Sequence, residues 1–85
     1  LNIRKAKVML KSYRRQAQEL INEFAIELKE QHSNESLKEG CRKDGIPYSS
    51  LRDWLNGNRD PYLSTFIKAL NKAGLQLAII DLKKG

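Results

Sequence analysis

The stretch GIPYSSLRDWLNGNRDP, Gly45 to Pro61, sets one short helical pattern between two sharp turns. Gly45 and Pro47 open it, and Asn56-Gly57 followed by Asp60-Pro61 close it. Leu51, Trp54 and Leu55 fall at helical spacing, while Tyr48, Ser49, Arg52 and Asp53 look outward. A helix this short is marginal by itself and buries little. Its exposed side chains are therefore the reason to build it. Trp54 belongs to the core side, where an indole beside Leu51 and Leu55 is worth more in packing than in stacking on a base.

Immediately upstream, Ser33-Asn34-Glu35-Ser36 supplies cap-forming residues, with Ser33 or Asn34 the expected cap of a helix over about Glu35 to Lys43. Leu37 and Cys41, four apart, share its apolar face. Gly40 inside that helix costs roughly 1 kcal/mol relative to Ala, which calls for something packed closely upon it. Asp44-Gly45 ends it, Gly45 being suited to a positive φ. Two short helices across Lys43-Asp44-Gly45-Ile46, with Gly in the turn and Ile46 beneath it, make a helix-turn-helix. The second helix of such a unit is narrow enough for the major groove, and its N-terminal residues meet base edges.

From Ile3 to Glu39 there is neither Gly nor Pro. Ala6, Leu10, Tyr13, Ala17, Leu20, Ile21, Phe24 and Leu28 recur at spacings of three and four, and Glu19, Glu23, Glu27 and Glu30 line another face. The pattern predicts a helix from about Arg4 to Gln31, roughly 42 Å long at 1.5 Å per residue. That exceeds what a small domain needs, so the outer half projects or breaks near Ser12 and folds back. Downstream, Asp60 as cap and Pro61 in the first turn introduce another helix, with Leu63, Phe66, Ile67 and Leu70 as its apolar face and Gly74 as its stop. Leu75-Gln76-Leu77-Ala78-Ile79-Ile80 then alternates with period two, a strand signal. A short fifth helix is the alternative; Gly74 ahead of it and β-branched Ile79-Ile80 favour the strand. A lone strand leaves unpaired amides, so it is expected to pair with itself in a second copy, with Leu75, Leu77 and Ile79 in the dimer interface. The tail beyond Ile80 is expected to fray.

The predicted fold is mainly α: a small helical bundle with a helix-turn-helix, a long N-terminal helix and a short C-terminal β-strand. Its 85 residues form one domain. Residues 1–16 are a basic helical extension, 17–74 the helical core and 75–85 the strand and tail. A chain so short barely balances chain entropy with one core, so a partner copy helps. It begins at Leu1 without a methionine, which leaves room for an upstream segment. No run approaches membrane-span length, so no membrane partner is expected. The single cysteine, Cys41, points to a reducing compartment, the cytoplasm, and to a buried role. One His and one Cys cannot supply four metal ligands, so neither a zinc site nor any cofactor is expected, and His32 reads as a solvated residue near a helix end.

The net charge is +6, unevenly laid out. Residues 1–18 carry six Lys or Arg (Arg4, Lys5, Lys7, Lys11, Arg14 and Arg15) and no acid, residues 19–39 six Glu against two Lys, and residues 40–85 eight basic and four acidic side chains. Separate basic blocks suggest a polyanionic partner.

Residues 45–79, GIPYSSLRDWLNGNRDPYLSTFIKALNKAGLQLAI, resemble the DNA-binding region of the Cro/CI-type (XRE-like) helix-turn-helix repressors. The resemblance rests on Gly45 in the turn, Ile46, Leu51 and Trp54, the Asn56-Gly57 exit turn, and the Pro61-initiated helix ending near Gly74. The run GLQLAII further resembles antitoxin members of that family, in which a strand follows the last helix and pairs across the dimer. The chain departs from the family where Gly40 and Cys41 fill the usual Leu-Ala places, at Asp44, at Pro47 and in its long basic N-terminal helix.

What the resemblance implies is sequence-specific binding of double-stranded DNA by a dimeric transcriptional repressor, in some members the antitoxin of a toxin–antitoxin pair. Carried onto this chain, Tyr48, Ser49, Arg52 and Asp53 are the base-reading positions, and the turn with Asn56, Asn58 and Arg59 grips phosphate. Asn34, Ser36 and Lys43 flank the preceding helix and are further candidates for phosphate contact. The plain alternative for Arg52 is a solvated side chain paired with Asp53 or a nearby Glu. For the turn residues it is ordinary turn chemistry. The expected partners are a palindromic operator, a second copy and, in an antitoxin, a toxin protein. A protein-interaction module with DNA binding secondary or absent is the second reading, and RNA binding by the basic N-terminal helix a third. No Gly-rich phosphate loop, Cys/His pair or carboxylate pair in an apolar setting marks an enzyme.

Overall fold

A computed structural model describes residues 13–79, 81 and 83, and the described residues hold four α-helices. They are α1 (Tyr13–Gln31), α2 (Leu37–Asp44), α3 (Tyr48–Leu55) and α4 (Leu63–Lys72). The expected helical stretch from Arg4 to Ser12, most of the basic extension, lies outside the described residues.

α1 turns Ile21, Phe24 and Leu28 into the core, the inner line of the predicted stripe. Ala17 and Leu20 of the same stripe are exposed. α2 begins two residues later than the sequence suggested. Its cap is Ser36 rather than Ser33 or Asn34: Ser36 is extended, and its Oγ accepts the Glu39 amide at 3.2 Å. Ser36-Leu37-Lys38-Glu39 is one half of a capping box; the Glu39 carboxylate turns away to Arg42. At the far end Gly45 sits at φ 74, and Ile46 N–H reaches back to the Cys41 carbonyl at 2.8 Å. That closure needs a left-handed residue, which glycine supplies without strain, and it tucks Ile46 beneath the turn at 3% exposure. The exits of α3 and α4 close likewise on Gly57 and Gly74.

Two helix starts differ from expectation. Pro47, which lacks an amide hydrogen and so suits a helix's first position, is instead the residue before α3, and it brings no side-chain cap. Asp60 does not cap α4, which starts at Leu63 behind Tyr62; Asp60 instead faces Arg14 at 3.8 Å. Leu63, at that first position, is 68% exposed, because the packed stripe of α4 begins one turn later with Phe66, Ala69 and Leu70.

The core joins all four helices through Ile21, Phe24, Leu28, Cys41, Ile46, Leu51, Trp54, Phe66, Leu70 and the small Ala69 and Ala73. Phe66 is its hub. Phe24 meets it edge-on at 5.7 Å and Trp54 at 6.0 Å, and each such pair adds about 0.5–1.5 kcal/mol beyond burial. Cys41 is fully buried, and that burial, with Asp44 nearby, pushes its thiol pKa up.

The strand expected over Leu75–Ile80 is not formed among the described residues: 75–79 carry no regular structure. A strand exists only as one side of a ladder, and among the described residues the segment has nothing to pair with. Leu75 and Leu77 instead pack, half-buried, against the chain's own core, and Ile79 is fully exposed. As a seam between copies, Leu75 and Leu77 are thus already partly used inside one protomer.

The close packing expected at Gly40 is His32. A Cβ at Gly40 would meet His32 Cδ2 at 2.9 Å and its Cγ and Cβ at 3.1 and 3.2 Å. Because the His32 Cβ is part of the contact, the ring cannot simply swing aside. The crowding cost of about 1–3 kcal/mol exceeds the helix-propensity gain of about 1 kcal/mol. Gly40→Ala is therefore expected to lower the urea midpoint, by about 1 kcal/mol of stability. A raised midpoint would contradict this packing.

Candidate nucleic-acid interface

The α2-turn-α3 unit is held from below and from both ends. Leu51 and Trp54 anchor the inner face of α3, with Leu55 and Tyr48 half-buried at its margins. At the entrance, Lys72 Nζ on α4 donates to the Gly45 carbonyl at 2.9 Å. At the exit, Gln18 Nε2 on α1 donates to the carbonyls of Trp54 and Leu55, each at 3.2 Å. Gln31 does the same for α4, donating to the Ala73 carbonyl at 3.0 Å. The last carbonyls of a helix lack partners of their own, and here side chains of neighbouring helices satisfy several of them.

Positions 48, 49, 52 and 53 share one side of α3 by their spacing, but they are not equally free. Ser49 and Arg52 are exposed, and the Arg52 side chain has no ion pair or hydrogen bond among the described residues. Asp53 is engaged: Arg59 approaches its carboxylate at 3.4 Å. The alternative in which Asp53 neutralises Arg52 is therefore not what the side chains do. Tyr48 packs partly on the core, beside a cleft lined by Lys38, Glu39, Arg42 and Ile46.

Among the expected phosphate positions, Asn34, Asn56 and Asn58 are exposed. The amides of Asn56, Gly57 and Asn58 all bond back to α3 carbonyls, so any contact from this turn has to come from side chains. The Ser36 hydroxyl is engaged as the α2 cap. Lys43 holds the Glu35 carboxylate at 2.6 Å, and that hydrogen bond keeps the Glu35 pKa below its ordinary value. Glu39 is likewise held low, by Arg42.

His32 is not the solvated residue expected. Its side chain is only 17% exposed, with Nε2 at 3.0 Å from Asp44 Oδ2 and Nδ1 at 3.5 Å from Glu35 Oε1. An Asp44–His32–Glu35–Lys43 chain thus fastens the α1–α2 corner to the last residue before the turn. Sequence reasoning missed it because ion pairs have no spacing rule across a corner; the mid-helix Gly40 was the only sign of a neighbour. Gln18 and Gln31 were missed too, since a glutamine on a mostly polar helix face looks solvated.

Compared with family models, curated proteins and solved structures, the chain finds no match. Among the described residues no helix is long and apolar enough to cross a membrane.

One further surface stands apart from α3. Ala17, Leu20, Ile21, Pro61, Leu63 and Phe66, with Asp60 the one charged residue among them, line a cleft of about 220 Å³ between α1 and the start of α4. Tyr62 beside it is 83% exposed.

Proposed function

We propose that this chain binds double-stranded DNA in a sequence-specific manner and represses transcription as a homodimer, with α3 laid in the major groove. The observation that carries the reading is Arg52, exposed on the outer side of α3 with no acid bound to it while Arg59 occupies the neighbouring Asp53. A free guanidinium can bond the O6 and N7 of a guanine together, and here no ion pair has to break first. Ser49 lies one turn ahead of it. Pro47 leaves the α3 N-terminus without a side-chain cap, where phosphate is favoured by both the free amides and the helix dipole. The resemblance to Cro/CI-type repressors supports the same reading, and buried Cys41 suits a reducing cytoplasm.

A single helix of this length reads few base pairs, so the functional unit is a pair of chains on a palindromic operator, with the two α3 helices about 34 Å apart. Within a toxin–antitoxin pair the chain would be the antitoxin. Selection from random duplex DNA tests the reading. Arg52→Ala is expected to cost about 1–3 kcal/mol of specific affinity and to relax preference at one base pair.

A second reading, a protein-binding module, is favoured by the apolar cleft with exposed Leu20, Leu63 and Tyr62 around it. Gel retardation with and without a candidate protein separates the two. A chain that retards no duplex but forms a stable complex with that protein is the interaction module.

A further inference from the structure

We infer that Gln18, on α1 and outside the helix-turn-helix, is a positioning residue for the reading helix: its carboxamide fixes the exit of α3 and so the direction in which Arg52 is presented. The inference rests on the DNA-binding reading above.

Gln18 is separated from the helix-turn-helix by the rest of α1 and the whole of the α1–α2 corner. Its Nε2, with two N–H groups to give, nevertheless lies at 3.2 Å from the Trp54 and Leu55 carbonyls, 36 and 37 residues away, with Asn22 Oδ1 a third acceptor in reach at 3.3 Å. The Trp54 carbonyl also receives the Gly57 amide at 3.2 Å, whereas no backbone amide reaches the Leu55 carbonyl among the described residues. Gln18 is thus the donor that satisfies the last carbonyl of α3. Its other atom, Oε1, lies over Gly57, 3.8 Å from where a Cβ would stand. One side chain therefore bonds the end of the reading helix and stands beside the turn that follows it.

What that turn carries makes the contact functional. Asn56, Asn58 and Arg59 are the exposed phosphate-side residues, and Arg59 reaches back to Asp53 on α3. The line runs from Gln18 to the exit carbonyls, through the turn to Arg59, and on to Asp53 beside Arg52. Ahead of α3, Lys72 bonds the carbonyl of Gly45 in the turn, three residues before Tyr48. The exit of α3 and the turn ahead of it are thus each tied by a side-chain bond, one from α1 and one from α4. Rigid placement is what a bidentate base contact requires, because its two hydrogen bonds tolerate little misalignment.

Two substitutions isolate the effect. Gln18→Met keeps the length of the side chain and removes its donors; Gln18→Arg supplies donors again. Amide hydrogen exchange is read over residues 52–58, and binding is read as the ratio of affinity for the selected operator to affinity for random duplex. With Gln18→Met, exchange at the exit of α3 is expected to quicken and the specificity ratio to fall roughly fivefold, the scale of one lost hydrogen bond. Affinity for random duplex should stay unchanged, since no charge has been altered. Gln18→Arg should restore slow exchange at the same amides. A residue serving stability alone would shift the urea midpoint without moving the ratio. Unchanged exchange and an unchanged ratio in Gln18→Met, with the wild-type chain still specific, would overturn the role of Gln18 alone. A wild-type ratio of one would overturn the DNA reading itself, and the positioning role with it.

Discussion

Replacing Trp54 by Ala is expected to cost about 3–5 kcal/mol and to leave the chain without a folded reading helix. The indole is 4% exposed and stands edge-on to Phe66, the ring that also receives Phe24 from α1. Its removal opens a cavity where α1, α3 and α4 meet, and the hub loses one of its two aromatic partners. Small domains keep only a few kcal/mol in reserve, so this loss is of the order of the whole stability. Urea unfolding followed by far-ultraviolet circular dichroism measures it: Trp54→Ala should show little cooperative transition at 25 °C. A cost below about 1 kcal/mol, typical of a surface position, would mean that Trp54 is not the anchor of α3.

The second large effect is that of salt. If Lys43, Arg52 and Arg59 each displace one counterion from the duplex, Arg52 from the groove and the other two at phosphates, the logarithm of affinity falls against that of salt with a slope of about −2.7 per protomer, and about −5.4 for a dimer. A fourfold rise in salt then weakens a protomer's binding about fortyfold, and a dimer's by more than about a thousandfold. The slope therefore reports how many chains grip the duplex. Lys43 and Arg59 already hold Glu35 and Asp53, so their exchange onto phosphate trades one ion pair for another and lowers the affinity without lowering the slope. A flat line would exclude a phosphate-gripping surface and favour the protein-binding reading.

The helices of this chain were legible in its sequence where apolar spacing and punctuation agreed. Ile21, Phe24 and Leu28 at three and four apart, Gly45 with Ile46, and Leu51 with Trp54 each carry a local rule, and each lies where the rule puts it. Starts were read less well than stops. Ser36 with Glu39 three residues on was the readable cap, yet two other cap-forming residues, Ser33 and Asn34, stood just before it. Asp60-Pro61 looked like a helix start, but Asp60 turns toward Arg14 and the helix waits until Leu63. The strand is absent from residues 75–79 for a different reason: alternation in Leu75–Ile80 says which residues share a face, not whether a ladder partner is at hand.

Of the candidate site, the outward positions on α3 could be read from periodicity, but their competition could not. That Arg59 takes Asp53, that Lys43 takes Glu35, and that Gln18 closes the exit of α3 all depend on side chains meeting across turns. No spacing in one dimension encodes such meetings. Among the described residues they leave the Arg52 side chain without an acid on the open side of α3.

Selection from random duplex DNA, run in parallel on the wild-type chain and Arg52→Ala, puts that residue to the most direct test. The wild-type chain is expected to enrich a palindrome with half-sites about one helical turn apart, and Arg52→Ala the same palindrome with one base pair per half-site no longer specified. Enrichment of identical sequences by the two chains at equal affinity, or of none by the wild type, would contradict the assignment of α3 as a DNA-reading helix.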